Sequence, residues 1–224
     1  MIVALSMRVV QAVGYKEPRD ALSHDWIKWA EAHGCVPLPL SNNLANPAGY
    51  LEAMKVGAII LTGGNDAVPR AGAASDHCPI RDRSEHKMLE WATAGGIPVL
   101  AVCRGLHMVN VHFGGFVISD IGPRKAAHVA QSHKLEILDS LGGILGNTAI
   151  ETNSYHEQGI EKEGLADVLR PFAASSDGLI EGAVHKDFPI LAIQWHLERK
   201  NPALQFDDIA VSRLFDEGAF WRAG

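Results

Sequence analysis

Four short runs that are apolar on both faces constrain this chain most: Ile2 to Leu5, Val36 to Leu40, Ala58 to Leu61 and Val99 to Val102. A strand without a polar face must be covered on both sides, the situation of interior strands in a parallel sheet flanked by helices. The intervening stretches have the matching helical period. Ala21 to His33 puts Leu22, Trp26, Trp29 and Ala30 on one face, and Asp82 to Ala94 does the same with Met88, Leu89 and Ala92. The pattern predicts an α/β fold, a three-layer sandwich around a mostly parallel central sheet. The 224 residues suffice for one such domain, spanning 1–224.

Beyond Gly115 the periodicity loosens. Gly142, Gly143 and Gly146 point to turns between Leu135 and Ile150. Strands resume from Leu179 to Val184 and from Ile190 to Trp195, and Ile209, Leu214 and Phe215 mark a helix within Asp207 to Phe215. Val68 to Ser75, with one proline and several small residues, reads as a mobile surface loop. Phe220 and Trp221 fit either the core or a homo-oligomer interface.

Charge and cysteine usage exclude several classes of function. Acidic residues outnumber basic ones, 26 to 20, and no basic run is present to follow a phosphate backbone, so no nucleic-acid partner is expected. No apolar stretch is long enough to span a bilayer, and the first ten residues lack the basic flank and cleavage region of a secretory signal; the expectation is a cytoplasmic protein with no membrane partner. Cys35, Cys78 and Cys103 form no CxxC pair, and the eleven histidines show no HExxH spacing. Neither a disulfide framework, a metal nor an organic cofactor is expected.

Chemistry concentrates at the ends of the apolar runs. Ile97 to Asn110 carries a strand into Cys103, then Gly105, then Leu106, Val109 and Phe113 at helical spacing. Strand, sharp turn and helix make a nucleophile elbow, which lifts a thiol above the carboxyl edge of the sheet at a helix N-terminus, where thiolate is favoured. The backbone N–H of Arg104 would face an acyl oxygen on that sulfur. Taken alone, Cys103 could equally be a small buried residue.

Ile59 to Asp66 is a second buried strand ending in glycines. Gly64 is the candidate second oxyanion donor, since its backbone can approach a ligand unobstructed; a plain βα turn is the alternative. In Leu191 to Glu198, a strand running through its end would put His196 and Glu198 on one face. The carboxylate would then fix the ring tautomer and leave the other nitrogen for the thiol. A histidine at a strand end is often merely structural, and the elbow cysteine upstream is what favours the catalytic reading.

Gly63-Gly64, Cys103-Arg104-Gly105 and His196-Leu197-Glu198 together resemble the class I glutamine amidotransferase fold, in its γ-glutamyl hydrolase branch, over almost the whole chain. Asn153-Ser154-Tyr155-His156-Glu157-Gln158 is similar to the Asn-Ser-x-His-His-Gln stretch of the γ-glutamyl-γ-aminobutyrate hydrolases, and Arg81-Asp82-Arg83-Ser84-Glu85 to their Arg-Asp-x-x-Glu helix start. Arg8, Tyr15, Glu17, Arg19 and Asp25-Trp26 resemble the subgroup that includes γ-glutamyl-CDP-amidate hydrolase. The resemblance implies a flavodoxin-like core and a γ-glutamyl pocket lined by Asn153, Ser154, Tyr155 and His156. Two positions depart from the family: His107 stands where Gln is common, and Glu157 replaces the second His. His107 either hydrogen-bonds a substrate carboxylate or faces the core. Arg8 and Arg104 either meet a charged leaving group such as a phosphoryl or sit in ion pairs.

The expected activity is hydrolysis of the γ-glutamyl amide of a small molecule through a thioester on Cys103. Two rivals remain: a glutaminase subunit that supplies ammonia to a partner synthetase, and a non-catalytic binding protein on the same fold. γ-Aminobutyrate, a nucleotide phosphoramidate, a polyamine derivative and ammonia are all leaving groups compatible with the sequence.

Overall fold

The computed structural model describes residues 1–68, 76–138, 141, 145–146 and 148–222. In chain order its strands are β1 (Ile2–Ser6), β2 (Arg8–Gln11), β3 (Pro18–Ala21), β4 (Val36–Leu40), β5 (Ala58–Leu61), β6 (Val99–Val102), β7 (Val129–Ile137), β8 (Ala149–Tyr155), β9 (Leu169–Ser175), β10 (Ile180–His185) and β11 (Ile190–Ile193). Its α-helices are α1 (His24–Ala32), α2 (Pro47–Ala53), α3 (Pro79–Gly95), α4 (Arg104–His112), α5 (Lys125–His128) and α6 (Leu204–Glu217).

Nine strands form one sheet in the order β4-β1-β5-β6-β11-β10-β9-β7-β8. Neighbours from β4 to β11 run parallel, and those from β11 to β8 antiparallel. This is the expected α/β fold, with all four apolar runs adjacent in the parallel block, although β4 is its edge strand rather than an interior one and Val36 is exposed. Their alternate residues feed two cores. Val3, Leu5, Ile60, Leu100 and Val102 pack under α1 and α6 against Trp26, Trp29, Phe206 and Leu214. Ala4, Ile59, Leu61, Val99 and Ala101 pack under α2, α3 and α4 against Leu51, Met88, Leu89 and Leu106. Each large side chain so buried contributes roughly 1.5–3 kcal/mol, and that covered interior holds the carboxyl ends of β5, β6 and β11 rigidly together.

Several expectations need correction. The first helix starts at His24, because Ala21 pairs with Arg8 in the β2–β3 hairpin and the Ser23 hydroxyl accepts the Asp25 N–H at 3.3 Å as an N-cap. The expected turns fall between β7 and β8, Gly146 sitting in a turn at φ +72°, but Leu135 and Ile150 themselves lie in those strands; polar residues on both faces of β7 hid its period, and its Leu135 is fully buried. Gly142 and Gly143 lie outside the described residues, as does the loop after Val68 through Ser75. In α6 the buried face is Phe206, Ala210, Val211 and Leu214, whereas Ile209 is 40% exposed. Phe220 and Trp221 are core residues, the Trp221 indole N–H donating to the His185 carbonyl at 2.8 Å.

Candidate active site

Strand β6 delivers Cys103 to the carboxyl edge of the sheet, and α4 begins at the next residue. Cys103 has φ +56° and ψ −110°, a strained conformation that side-chain-bearing residues rarely adopt. Its N–H donates to Ile193 O at 2.7 Å and its carbonyl accepts the Leu106 N–H at 3.0 Å, so β11 and α4 hold the strained turn in place. Gly105 is required: a Cβ there would lie 2.4 Å from the Leu61 carbonyl oxygen. The turn thus brings helix and β5 into contact.

His196 and Cys103 meet across Gly63. A Cβ on that glycine would lie 2.8 Å from His196 Cε1, 3.6 Å from His196 Nε2 and 3.4 Å from Cys103 Cβ. The imidazole Nδ1 is 2.6 Å from Glu198 Oε1, which leaves Nε2 for the thiol. Burial opposes charge on both partners, yet their mutual attraction and hydrogen bond dominate. Cys103 is held below the ordinary thiol range, and His196 is raised to about 9, with Glu198 contributing. Both shifts favour a thiolate facing an imidazolium.

The route to this pairing differs from the expected one. Strand β11 ends at Ile193, and Glu198 lies in the turn that follows, so the carboxylate reaches the ring by chain reversal. Asn153 makes that possible. Its side chain accepts the His196 N–H at 2.9 Å and donates to the carbonyls of His196 and Lys200 at 2.9 and 3.1 Å.

Gly64 has φ +82° and lies in a loop gripped from behind by Arg81. The wholly buried guanidinium donates to Thr62 O at 2.6 Å, to Gly63 O at 3.2 Å and to Gly64 O. Because a trans peptide points its N–H opposite its C=O, the Gly64 N–H faces away from Arg81, and it meets no acceptor among the described residues. The Arg104 N–H points at the Cys103 sulfur. Glu85 links the two turns, accepting from Arg81 Nε at 2.8 Å and from Arg104 Nη1, while Asp82 accepts from Arg104 Nη2. Sequence reasoning noticed Arg81 and Glu85 only as part of a helix start. The available signal was an i,i+4 ion pair in register with Met88, Leu89 and Ala92 on a buried helix face.

A cavity of about 630 Å³ opens over the thiol, bordered by Arg8, Gly64, Cys103, His107, Tyr155 and His196. The other expected lining residues are placed differently. Asn153 braces His196, and the Ser154 hydroxyl donates to His128 O at 2.7 Å, so neither borders the cavity. His156 does border it, but Nδ1 is 2.8 Å from Gln158 O and Nε2 is 3.0 Å from His128 Nδ1, leaving the cavity its ring rather than a free nitrogen. Burial drives His107 down to about 3, so it is neutral. Its Nε2 lies 2.8 Å from Gln194 Oε1, and the Gln158 side chain is a second neighbour of the ring. The Arg104 side chain is consumed by its ion pairs. Arg8 has no carboxylate partner among the described residues, and its guanidinium fills the space over Gly64, 2.4 Å from where a Cβ would stand.

Comparison with known proteins matches this chain to the family described as Peptidase C26 over residues 2–198. It is 36% identical to a putative glutamine amidotransferase of Schizosaccharomyces pombe, over 62% of this chain and 61% of that protein. It is 31% identical to the γ-glutamyl-CDP-amidate hydrolase of Campylobacter jejuni, covering 90% and 92% of the two chains. Against the γ-glutamyl-γ-aminobutyrate hydrolase of Escherichia coli O157:H7 the identity is 28%, covering 83% and 79%. Among solved structures, a glutamine amidotransferase from Thermotoga maritima superposes with a TM-score of 0.62 at 14% identity, over 99% of this chain and 87% of that one. Among the described residues no helix is long and apolar enough to cross a membrane.

Proposed function

The chain belongs to the Peptidase C26 family, and from that premise we propose that it hydrolyses the γ-glutamyl amide of a small molecule whose leaving amine carries an anionic group. The observation that carries this reading is the convergence of Cys103, His196 and Glu198 beneath an open cavity, opposite the unclaimed Gly64 N–H.

The Cys103 thiolate adds to the γ-carbonyl carbon, and the resulting oxyanion is held by the N–H groups of Gly64 and Arg104. His196 Nε2 gives its proton to the amide nitrogen, the C–N bond breaks and the amine leaves. A γ-glutamyl thioester remains. Neutral His196 then takes a proton from water, the hydroxide attacks the thioester carbonyl, the C–S bond breaks and glutamate departs, leaving thiolate and imidazolium again. Glu198 holds the ring in the tautomer both steps need.

His107, a neutral ring bordering the cavity, suits a hydrogen bond to the glutamyl group. Arg8, without a carboxylate partner among the described residues, suits an anion on the leaving group, carboxylate or phosphoryl. Relatives named for γ-aminobutyrate and for a nucleotide amidate both act on amines bearing such an anion, which supports the assignment. Purified protein incubated with glutamine, γ-glutamyl-γ-aminobutyrate, a γ-glutamyl phosphoramidate and a γ-glutamyl polyamine should release glutamate fastest from the two anionic amides. Cys103→Ala should release none above background. Equal release by both proteins would remove the nucleophile; preference for glutamine would remove the leaving-group assignment.

A further inference from the structure

Across the cavity wall from the thiol lies a second cluster of titratable groups that the chemistry above does not use. His128 ends α5, His133 lies in β7, His156 follows β8, and Glu181 lies in β10. His128 Nδ1 and His156 Nε2 are 3.0 Å apart, and Glu181 Oε1 is 3.4 Å from each. All three side chains are at least 97% buried. Among the described residues Glu181 meets no donor other than the histidines that face it, and His133 Nε2, 3.9 Å from Glu181 Oε2, has no hydrogen bond.

Proton accounting makes this convergence unusual. His128 Nε2 faces Asp177 Oδ2 at 3.0 Å and His156 Nδ1 faces the Gln158 carbonyl at 2.8 Å, and both partners are acceptors. Each neutral ring therefore carries its proton on the outward nitrogen, so both inward nitrogens present lone pairs to each other and to a carboxylate. Three facing acceptors in a dry site need either a shared proton or a metal ion between them.

We propose that His128 Nδ1, His156 Nε2 and Glu181 bind a divalent transition metal of the Zn²⁺ class, with water in the fourth position. Metal–ligand bonds of about 2.0–2.1 Å in a tetrahedron place neighbouring ligand atoms about 3.3 Å apart, which matches the 3.0 and 3.4 Å separations. Two imidazoles and one carboxylate suit Zn²⁺ better than Mg²⁺ or Ca²⁺, which favour oxygen. The outward contacts are those of a built metal centre: a carboxylate on one ligand histidine, a backbone carbonyl on the other, and Asp177 itself fixed by the Ser175 hydroxyl at 2.5 Å. The metal would tie α5, the end of β8 and β10 together and lock the ring of His156 as one wall of the cavity.

The test uses the full chain carrying Cys103→Ala, so that the reactive thiol contributes no metal binding. After chelation and dialysis it is titrated with Zn²⁺ by calorimetry and with Co²⁺ by visible absorption. One Zn²⁺ per chain, a Tm rise of roughly 5 °C at saturation and the intense visible bands of four-coordinate Co²⁺ are expected. Glu181→Gln and His128→Gln should each weaken binding at least tenfold. Asp177→Asn, at a partly exposed residue that only orients His128, should weaken it about 10- to 100-fold if the more buried variants do not fold. Absence of binding, with a Tm indifferent to Zn²⁺ and chelator, would overturn the site and leave a proton shared between the two imidazoles beside Glu181. Binding that survives all three substitutions would overturn it as well.

Discussion

The two walls that flank the thiol are built from different cations. On the side of α3 and α4, buried carboxylates face arginines: Glu85 joins Arg81 and Arg104, and Asp82 completes the set. On the side of β7, β8 and β10, a buried carboxylate faces histidines: Glu181 with His128, His133 and His156. Burial lowers Arg81 only to about 10, so that wall stays charged wherever the enzyme works. Imidazoles can change charge or accept a metal in the same range. The backbone under the proposed oxyanion donor therefore rests on permanent charge, while the opposite wall is adjustable.

The comparison breaks most visibly at Glu85. Glu85→Ala leaves the buried Arg81 without a carboxylate and Arg104 with Asp82 alone, and should cost about 3–5 kcal/mol, read as a Tm loss of roughly 10 °C by thermal denaturation. A loss under about 1 kcal/mol would mean that water or a shifted side chain already compensates them. Next comes the group between the walls. Glu198→Gln should lower kcat for glutamate release about 10²-fold with Tm nearly unchanged, because the amide no longer selects the working tautomer; an unaltered kcat would assign Glu198 to structure alone.

Titration sharpens the contrast. Cys103 is depressed, so its contribution to stability is present above the ordinary thiol pKa and lost as pH falls through its lower folded value. His196 is raised, so its contribution is complete below about 6.5 and lost as pH rises through about 9. The charged pair persists between those limits. Glutamate release should decline above pH 9, and iodoacetamide should label Cys103 well below the ordinary thiol range. In His196→Gln the labelling profile should move upward, slowing the reaction at pH 7 by about tenfold; a profile unmoved by that substitution would dissolve the pair. The smallest effect is expected at Asn153→Ala. Losing the brace on His196 and Lys200 should cost about 1–3 kcal/mol and reduce kcat less than Glu198→Gln does.

Legibility in the sequence followed the range of the interactions involved. The parallel strands and the Cys103 elbow were readable because a strand covered on both faces, or a helix covered on one, writes its burial into neighbouring residues. β7 was not readable, since its polar residues are matched by partners on β8 and β9 rather than by its own period. The pairing of His196 with Glu198 was expected from a continuing strand and is found in a turn held by Asn153, 43 positions earlier.

By itself, the sequence determined which segments must be buried, where the chain must turn sharply and which residue types stand at those turns, because each of these depends on adjacent residues. Only the tertiary structure decided which polar groups face one another. It spent Arg104 on Glu85 and Asp82 while leaving Arg8 without a carboxylate partner among the described residues, buried His107 as a neutral ring, and gathered His128, His156 and Glu181 from three separate elements. The reason is physical: a buried polar group takes whichever partner packing brings within about 3 Å, and packing is a property of the whole chain.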